Sequence, residues 1–149
     1  SFDQNIMIQS EDLNLFSTKN FKIVSKRKPT SKQLKDLIFA FNVCRYVKSN
    51  AIVLASNETT VGIGSGQPSR LDSCQIAINK MKKFNLQNDN LVAASDAFFP
   101  FVDGIEKLVQ SGVRAVIQPS GSIRDKEIIN FANETDTVLV FSKTRHFRH

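Results

Sequence analysis

Short apolar runs alternate with helix-length segments from residue 21 onward, and this alternation determines the fold class that the chain can adopt. Short apolar runs bounded by polar and glycine residues are typical of buried strands. The runs are FKIVSK (21–26), AIVLAS (51–56), TTVGIGSG (59–66), LVAAS (91–95), RAVIQ (114–118) and TVLVFS (137–142). Strands that alternate with helices favour a mixed sheet covered on both faces. The sequence therefore predicts an α/β fold, a three-layer α/β/α domain.

Capping signals place the helices between these strands. Thr30, with Gln33 three residues later, predicts a capping box that opens a helix to about Val47. Ser69 predicts the start of a helix that ends near Lys83. Its buried side is expected to hold Leu71, Cys74, Ile76, Ala77 and Met81. Two shorter helices are predicted at about 103–110 and 122–132, and Asn57-Glu58 predicts the turn of a hairpin.

Length and composition fit one folded domain. The chain has 149 residues, of which 41% are hydrophobic and 23% charged, which excludes a disordered or low-complexity protein. Residues 1–20 have no clear period and are expected to form an irregular or edge segment, while 21–149 form one unit. No apolar run approaches the ~20 residues of a membrane-spanning helix. The polar start excludes a secretory signal, and a first residue that is not Met indicates processing or a fragment.

The two cysteines indicate the redox environment of the protein, and its net positive charge limits the kinds of partner it can bind. Cys44 and Cys74 cannot build a disulfide framework, so we expect buried thiols in a reducing, cytoplasmic protein. The net charge of +6 favours an anionic ligand. The basic residues form separate clusters without interleaved aromatic residues, so neither nucleic acid nor a membrane is expected as a partner. Nucleic-acid binding is a third alternative, and only a steep dependence of that binding on salt concentration would support it.

Three loops that follow predicted strands are candidates for binding. They are GIGSGQ (62–67), DAFFPF (96–101) and PSGS (119–122). The glycine-rich loop has two interpretations, a close approach of two backbones or an anion site beside Arg70. The three phenylalanines at 98, 99 and 101 cannot all point one way, so at least one is expected to face a cleft. Because α/β folds bind ligands where strands end, the three loops predict one composite pocket.

Metal and hydrolytic chemistry are not indicated. The only histidines, His146 and His149, lie in the last four residues, and the cysteines lack zinc-ligand spacing. No serine lies in a nucleophile-elbow motif. We therefore expect no structural or catalytic metal ion and no redox cofactor.

Five motifs in fixed order are similar to the C-terminal part of the bifunctional AICAR transformylase/IMP cyclohydrolase family of purine biosynthesis. They are VKSNAIV, GIGSGQPSR, SDAFFPF, IQPSGSIRD and TRHFRH, and they cover roughly residues 21–149. The resemblance implies a cytidine-deaminase-like unit without zinc. It also implies transfer of a formyl group from 10-formyltetrahydrofolate, a co-substrate, to the 5-amino group of AICAR.

The resemblance also implies roles for individual residues. Asn50 would be catalytic, donating a hydrogen bond to the formyl oxygen as negative charge develops there. Aromatic and cationic side chains suit a flat, anionic nucleotide. AICAR would be bound by Arg70, Phe98, Arg145 and Phe147, and the folate by Pro100, Phe101, Asp103 and Ser122.

One family feature is absent from the sequence. The Lys-His dipeptide that moves protons in the family has no match here, and His146 and His149 are not expected to replace it. The chain is therefore expected to form a half-site without turnover of its own, within a homodimeric parent protein. The resemblance also allows a monovalent cation near the pocket. The alternative is a non-catalytic module of the same fold that binds a nucleotide or folate.

Overall fold

The computed structural model describes residues 20–143 and residue 149. Its strands are β1 (Phe21–Ile23), β2 (Ile52–Ser56), β3 (Thr59–Gly64), β4 (Leu91–Ser95), β5 (Val113–Pro119) and β6 (Val138–Ser142). Its helices are α1 (Ser31–Cys44), α2 (Arg70–Lys83), α3 (Val102–Gln110) and α4 (Asp125–Glu134). Every strand and helix predicted within the described residues is present. None of the described helices is long and apolar enough to cross a membrane.

The strands form one mixed six-stranded sheet in the order β1-β6-β5-β4-β2-β3. β4, β5 and β6 are parallel, whereas β1 pairs with β6, and β2 with both β3 and β4, in antiparallel fashion. Strands β3 to β6 therefore point in one direction, and their carboxyl ends share one edge of the sheet. The amino end of β2 lies at the same edge. The loops before β2 and after β3, β4 and β5 consequently meet there.

Two hydrophobic cores lie on the two faces of the sheet. In β2, Val53 and Ala55 contribute to one core, and Ile52 and Leu54 to the other, as strand alternation requires. Helix α1 covers the first core, while α2, α3 and α4 cover the second. The mixed α/β sheet with helices on both faces, predicted from the alternating pattern, is confirmed.

Helix α1 and the β2–β3 hairpin are joined by one buried carboxylate. The Thr30–Gln33 capping box is present, and the helix ends at Cys44, slightly earlier than predicted. Asp36, on its buried side, accepts the backbone N–H of Asn57 at 3.1 Å and of Glu58 at 2.8 Å. Both turn residues have positive φ, which a tight two-residue hairpin requires.

The buried face of α2 differs in part from the prediction. Cys74, Ala77 and Met81 are buried as expected, but Leu71 and Ile76 are only half-buried. The reason is the close approach of α2 to β3. A Cβ atom on Gly64 would collide with the carbonyl oxygen of Ser73, and one on Gly62 with that of Ala77. The side of α2 that lies against the glycines of β3 therefore carries the small residues Ser73 and Ala77, while Leu71 and Ile76 lie toward its partly exposed side.

Candidate functional site

A cleft of about 560 Å³ opens at the shared edge of the sheet. Its wall is built by residues from three separate parts of the chain: Asn50 before β2, residues 68–71 around the start of α2, and residues 97–101, 103 and 104 from the loop after β4 into the first turn of α3. Because the antiparallel β2 lies between β3 and β4, these segments are brought together by the topology of the sheet. The structure thus places Asn50, Arg70, Phe98, Pro100, Phe101 and Asp103 in one cleft.

Arg70 lies at the base of this cleft and is the first residue of α2. Its side chain is only 8% exposed, and it forms an ion pair with Asp96, which is fully buried. Nη1 donates to Asp96 Oδ1 at 2.5 Å and to Ser95 Oγ at 2.9 Å. Nη2 donates to Asn50 Oδ1 at 2.7 Å. The guanidinium group therefore connects the end of β4 to the residue that precedes β2.

Asn50 is held through both ends of its side-chain amide. Oδ1 accepts from Arg70, while Nδ2 donates to the carbonyl oxygens of Gln67 at 2.9 Å and Pro68 at 3.0 Å. Ser73 Oγ also donates to the Asn50 carbonyl oxygen at 2.7 Å. The orientation of the amide is thus fixed, with its donor toward the 67–68 segment. The hydrogen bond to Pro68 is the more exposed of the two and the easier for a ligand to replace.

The three phenylalanines after β4 have three different environments. Phe99 is buried at 1% exposure, and its backbone N–H donates to Gln118 Oε1 at 3.3 Å. Phe98 is half-buried and lines the cleft. Phe101 is 53% exposed, and the Arg124 guanidinium lies 4.9 Å from its ring centroid. The prediction that not all three rings would point into the core is confirmed.

The residues expected on the folate side are only partly brought together. Asp103 lines the cleft in the first turn of α3, and its Oδ1 accepts the N–H of Gly104 at 2.8 Å. Ser122 does not line it. Ser122 Oγ accepts the N–H of Arg124 at 3.0 Å, so it reaches the cleft only through the contact between Arg124 and Phe101.

Two of the three loops have a structural explanation that does not require an anion. The glycines of GIGSGQ allow β3 to lie against α2, which supports the close-approach interpretation. In PSGS, the Asp125 carboxylate accepts the N–H of Gly121 at 2.8 Å and of Ser122 at 3.2 Å. The backbone donors of this candidate binding loop are thus occupied by an acidic side chain of the same chain.

Some of the expected site residues lie outside the part of the chain that the structure describes. Arg145 and Phe147 lie outside the described residues, as do residues 1–19 of the predicted edge segment.

Within the described part of the chain, no cluster of three or more His, Cys, Asp or Glu side chains is suited to a metal ion. Cys44 and Cys74 are buried and unpaired by disulfides, as predicted. Burial raises the pKa of the Cys74 thiol to about 12 and that of Cys44 further.

Sequence reasoning missed the polar network beneath the cleft. Asp96, Ser95 and Ser49 were not singled out, although Asp96 directly precedes the aromatic run. Ser49 Oγ donates to Asp96 Oδ2 at 2.5 Å, so both carboxylate oxygens have partners. The available signal was an acidic residue directly after a short, mostly apolar strand, where a charge needs a partner. The arginine that pairs with it lies 26 positions away, so local patterns could not reveal it.

Comparison with known proteins determines the family. Residues 1–80 match the family model described as AICARFT/IMPCHase bienzyme. The chain belongs to this family. The matched stretch includes the VKSNAIV and GIGSGQPSR motifs, and with them Asn50 and Arg70 of the cleft. The resemblance inferred from the motifs is therefore confirmed.

A curated relative extends the similarity to nearly the whole chain. The bifunctional purine biosynthesis protein PurH of Persephonella marina is 47% identical over 144 residues, which cover 97% of this chain. The same residues cover only 28% of the relative. The chain thus spans little more than a quarter of the length of that protein. The residues that line the cleft lie within a chain that is matched over 97% of its length.

Proposed function

We propose that this chain supplies one side of a formyl-transfer site for AICAR, with 10-formyltetrahydrofolate as the formyl donor. The observation that carries the proposal is the cleft itself. Six residues that the resemblance names, from three separate parts of the chain, line the same cavity at the carboxyl ends of the strands. Family membership and the 47% identity to a purine biosynthesis protein support the same reaction.

In the proposed reaction, the 5-amino nitrogen of AICAR attacks the formyl carbon. The new N–C bond forms, the bond between the formyl carbon and N10 of the folate breaks, and the amine proton passes to the departing folate nitrogen. Negative charge develops on the formyl oxygen during the attack. In this proposal, Asn50 Nδ2 donates to that oxygen after it exchanges its exposed hydrogen bond to Pro68.

The remaining cleft residues are assigned to the two substrates. Phe98 packs against the imidazole ring of AICAR, and Arg70 acts on the AICAR side largely through Asn50, because its charge is already balanced by Asp96. Arg145 and Phe147 complete the AICAR side by resemblance. Pro100, Phe101 and Asp103 face the folate, and Ser122 contributes through Arg124.

The described part of the cleft has one carboxylate that could accept a proton, Asp103, which is assigned to the folate side and accepts the N–H of Gly104. Among its described lining residues, the ionisable side chains are those of Arg70 and Asp103, and neither Lys nor His is present. General acid-base catalysis requires a group within hydrogen-bond reach of the proton. This observation favours a half-site, completed by another part of a longer, homodimeric protein in which residues 21–149 form one unit of cytidine-deaminase-like fold. It also keeps the second candidate, a non-catalytic nucleotide- or folate-binding module.

No step of the reaction is assigned to a metal ion. The resemblance allows a monovalent cation near the cleft, but the Asp96 carboxylate is already shared by Arg70 and Ser49. A carboxylate has about four lone-pair positions, so these two contacts neither supply nor exclude a cation ligand. The cation therefore remains a prediction of the resemblance alone.

The deciding experiment measures AICAR formylation by the full-length gene product and by this chain, side by side. The proposal predicts formyl transfer by the former and none by the latter. Failure of both would favour the binding module. Turnover by this chain alone would show that the proton-transfer groups have been misplaced.

A further inference from the structure

The proposed function gives no role to the carboxylate of Asp96, which lies buried beneath the cleft. Asp96 is fully buried at the end of β4, and it is not among the lining residues of the cleft. A buried carboxylate is costly unless it is paired and hydrogen-bonded. Replacing such a pair with apolar residues is often neutral for stability, so the pair itself is weak evidence for a purely structural role.

The contacts of Asp96 form a continuous path to the proposed donor. Asp96 Oδ1 accepts from Arg70 Nη1 at 2.5 Å, and the other terminal nitrogen of the same guanidinium donates to Asn50 Oδ1 at 2.7 Å. Because the guanidinium is planar and rigid, fixing one terminal nitrogen also fixes the other. Ser49 Oγ donates to Asp96 Oδ2, so the carboxylate is restrained on both sides.

The direction of the Asn50 amide depends on this path. A side-chain amide can be flipped, which exchanges its oxygen and nitrogen. With Arg70 beside it, only the oxygen can face the guanidinium, since two donors would otherwise meet. Nδ2 is then directed toward Gln67 and Pro68 at the cleft wall.

We propose that Asp96 is a positioning residue, which acts through Arg70 to orient the Asn50 amide with its donor toward the cleft. The proposal rests on the formyl-transfer function for its kinetic consequence, but its structural part holds for any ligand of the cleft. Asp96 touches no substrate in this account. It sets the geometry of the group that does.

The test compares Asp96→Asn with Asp36→Asn. Asp36 is also a buried carboxylate with a lysine and two backbone N–H partners, but it lies at the opposite edge of the sheet. In this 149-residue chain, the solvent exchange of the Asn50 side-chain NH₂ is measured by NMR. We expect Asp96→Asn to accelerate it about tenfold, as for the loss of one hydrogen bond, and Asp36→Asn to leave it within twofold.

The kinetic arm uses the full-length gene product with the same two substitutions. Asp96→Asn is expected to lower kcat about 10- to 100-fold while KM for AICAR stays within threefold, because orientation rather than binding is lost. Asp36→Asn should change neither constant per folded molecule. Equal effects of the two variants on both readouts would reduce Asp96 to a stabilising residue and overturn the proposal.

A second variant covers the case in which Asp96→Asn does not fold. Arg70→Lys keeps the positive charge beside Asp96, but a single ammonium cannot bridge Asp96 and Asn50 with fork geometry. It should accelerate Asn50 exchange to the same extent, and unchanged exchange would contradict the proposal. If the wild-type long protein transfers no formyl group, the proposed function fails. The exchange measurement still decides the role of Asp96.

Discussion

Arg70 Nη2 donates a hydrogen bond to Asn50 Oδ1 at 2.7 Å, which joins the first residue of α2 to the segment that leads into strand β2. The two residues belong to different motifs, and the resemblance implies different roles for them, catalytic for Asn50 and substrate-binding for Arg70. Their side chains instead form one unit, anchored by Asp96. The cleft is therefore best described as an aromatic and polar wall resting on a buried charged network.

The aromatic run after β4 predicts unequal losses of stability for two of its rings. Phe99→Ala should lower the free energy of unfolding by about 3–5 kcal/mol, because it empties a fully buried site. Phe101→Ala should cost less than about 1 kcal/mol, since its ring is half exposed and mainly contacts Arg124. Urea unfolding followed by circular dichroism measures both.

Phe101→Ala also tests whether this ring contacts the folate. In the full-length protein, Phe101→Ala is expected to raise KM for the folate, whereas Lys107→Ala in the helix that follows, α3, serves as a control outside the cleft. An unchanged folate KM in Phe101→Ala would remove this ring from the proposed folate side.

The hairpin turn predicts a stability effect far from the cleft. Asp36→Ala removes the acceptor of two backbone N–H groups, those of Asn57 and Glu58, and each charge-assisted hydrogen bond contributes about 1.5–3 kcal/mol. The free energy of unfolding should fall by about 3–6 kcal/mol for the two bonds together. Thermal or urea unfolding checks this, with Glu58→Ala as the matched control because its exposed carboxylate makes no such contact among the described hydrogen bonds. Equal stability of the two variants would contradict it.

The glycines of the β3 edge predict a graded response to one methyl group. Gly64→Ala should be severely destabilising, since its Cβ would collide with the carbonyl oxygen of Ser73. Gly66→Ala meets only the end of Lys48 but has a φ of +67°, which costs about 1–2 kcal/mol. If both variants unfold at the same urea concentration, the close approach of α2 to β3 is not the reason for the glycine at 64.

The two thiols predict a dependence of stability on alkaline pH. Burial raises the pKa of Cys74 to about 12, against an ordinary value of 9.0, and raises that of Cys44 as well. The unfolded chain then releases protons that the folded chain keeps, so this contribution is present below pH 9 and decreases as the pH rises toward 12. Unfolding midpoints from pH 8 to 11 measure the decrease, and Cys74→Ala should make it smaller.

A reagent provides an independent check on the same thiols. At pH 8, a thiol-specific chromogenic reagent should react with neither cysteine of the native chain and with both after unfolding in urea. Rapid reaction of the native chain would show that the helices α1 and α2 open easily.

The sequence was sufficient for the order of the elements because each has a local signal. The capping box at Thr30, the turn at Asn57-Glu58 and the apolar runs are patterns of neighbouring residues, and their elements appear where expected. The side of α2 that faces the sheet was less predictable. It depends on how closely β3 approaches, which the glycines permit but apolar periodicity does not express.

The candidate site was predictable to the extent that motifs name its residues. The resemblance named Asn50 and Arg70, but not their mutual contact or the role of Asp96, because these arise only when β2, β4 and α2 are assembled. Ser122 shows the converse. Its motif suggested a place in the cleft, while the Asp125 carboxylate holds its loop in a conformation that keeps it outside the lining.

The central claim is that the cleft is a formyl-transfer site with Asn50 as the donor to the formyl oxygen. The most direct test is the rate of AICAR formylation by the full-length protein carrying Asn50→Ala, beside Asn79→Ala on the exposed side of α2. We predict that Asn50→Ala lowers kcat by about 10²- to 10³-fold, as for the loss of one oxyanion donor, while Asn79→Ala leaves it unchanged. Equal rates for the two variants would contradict the account.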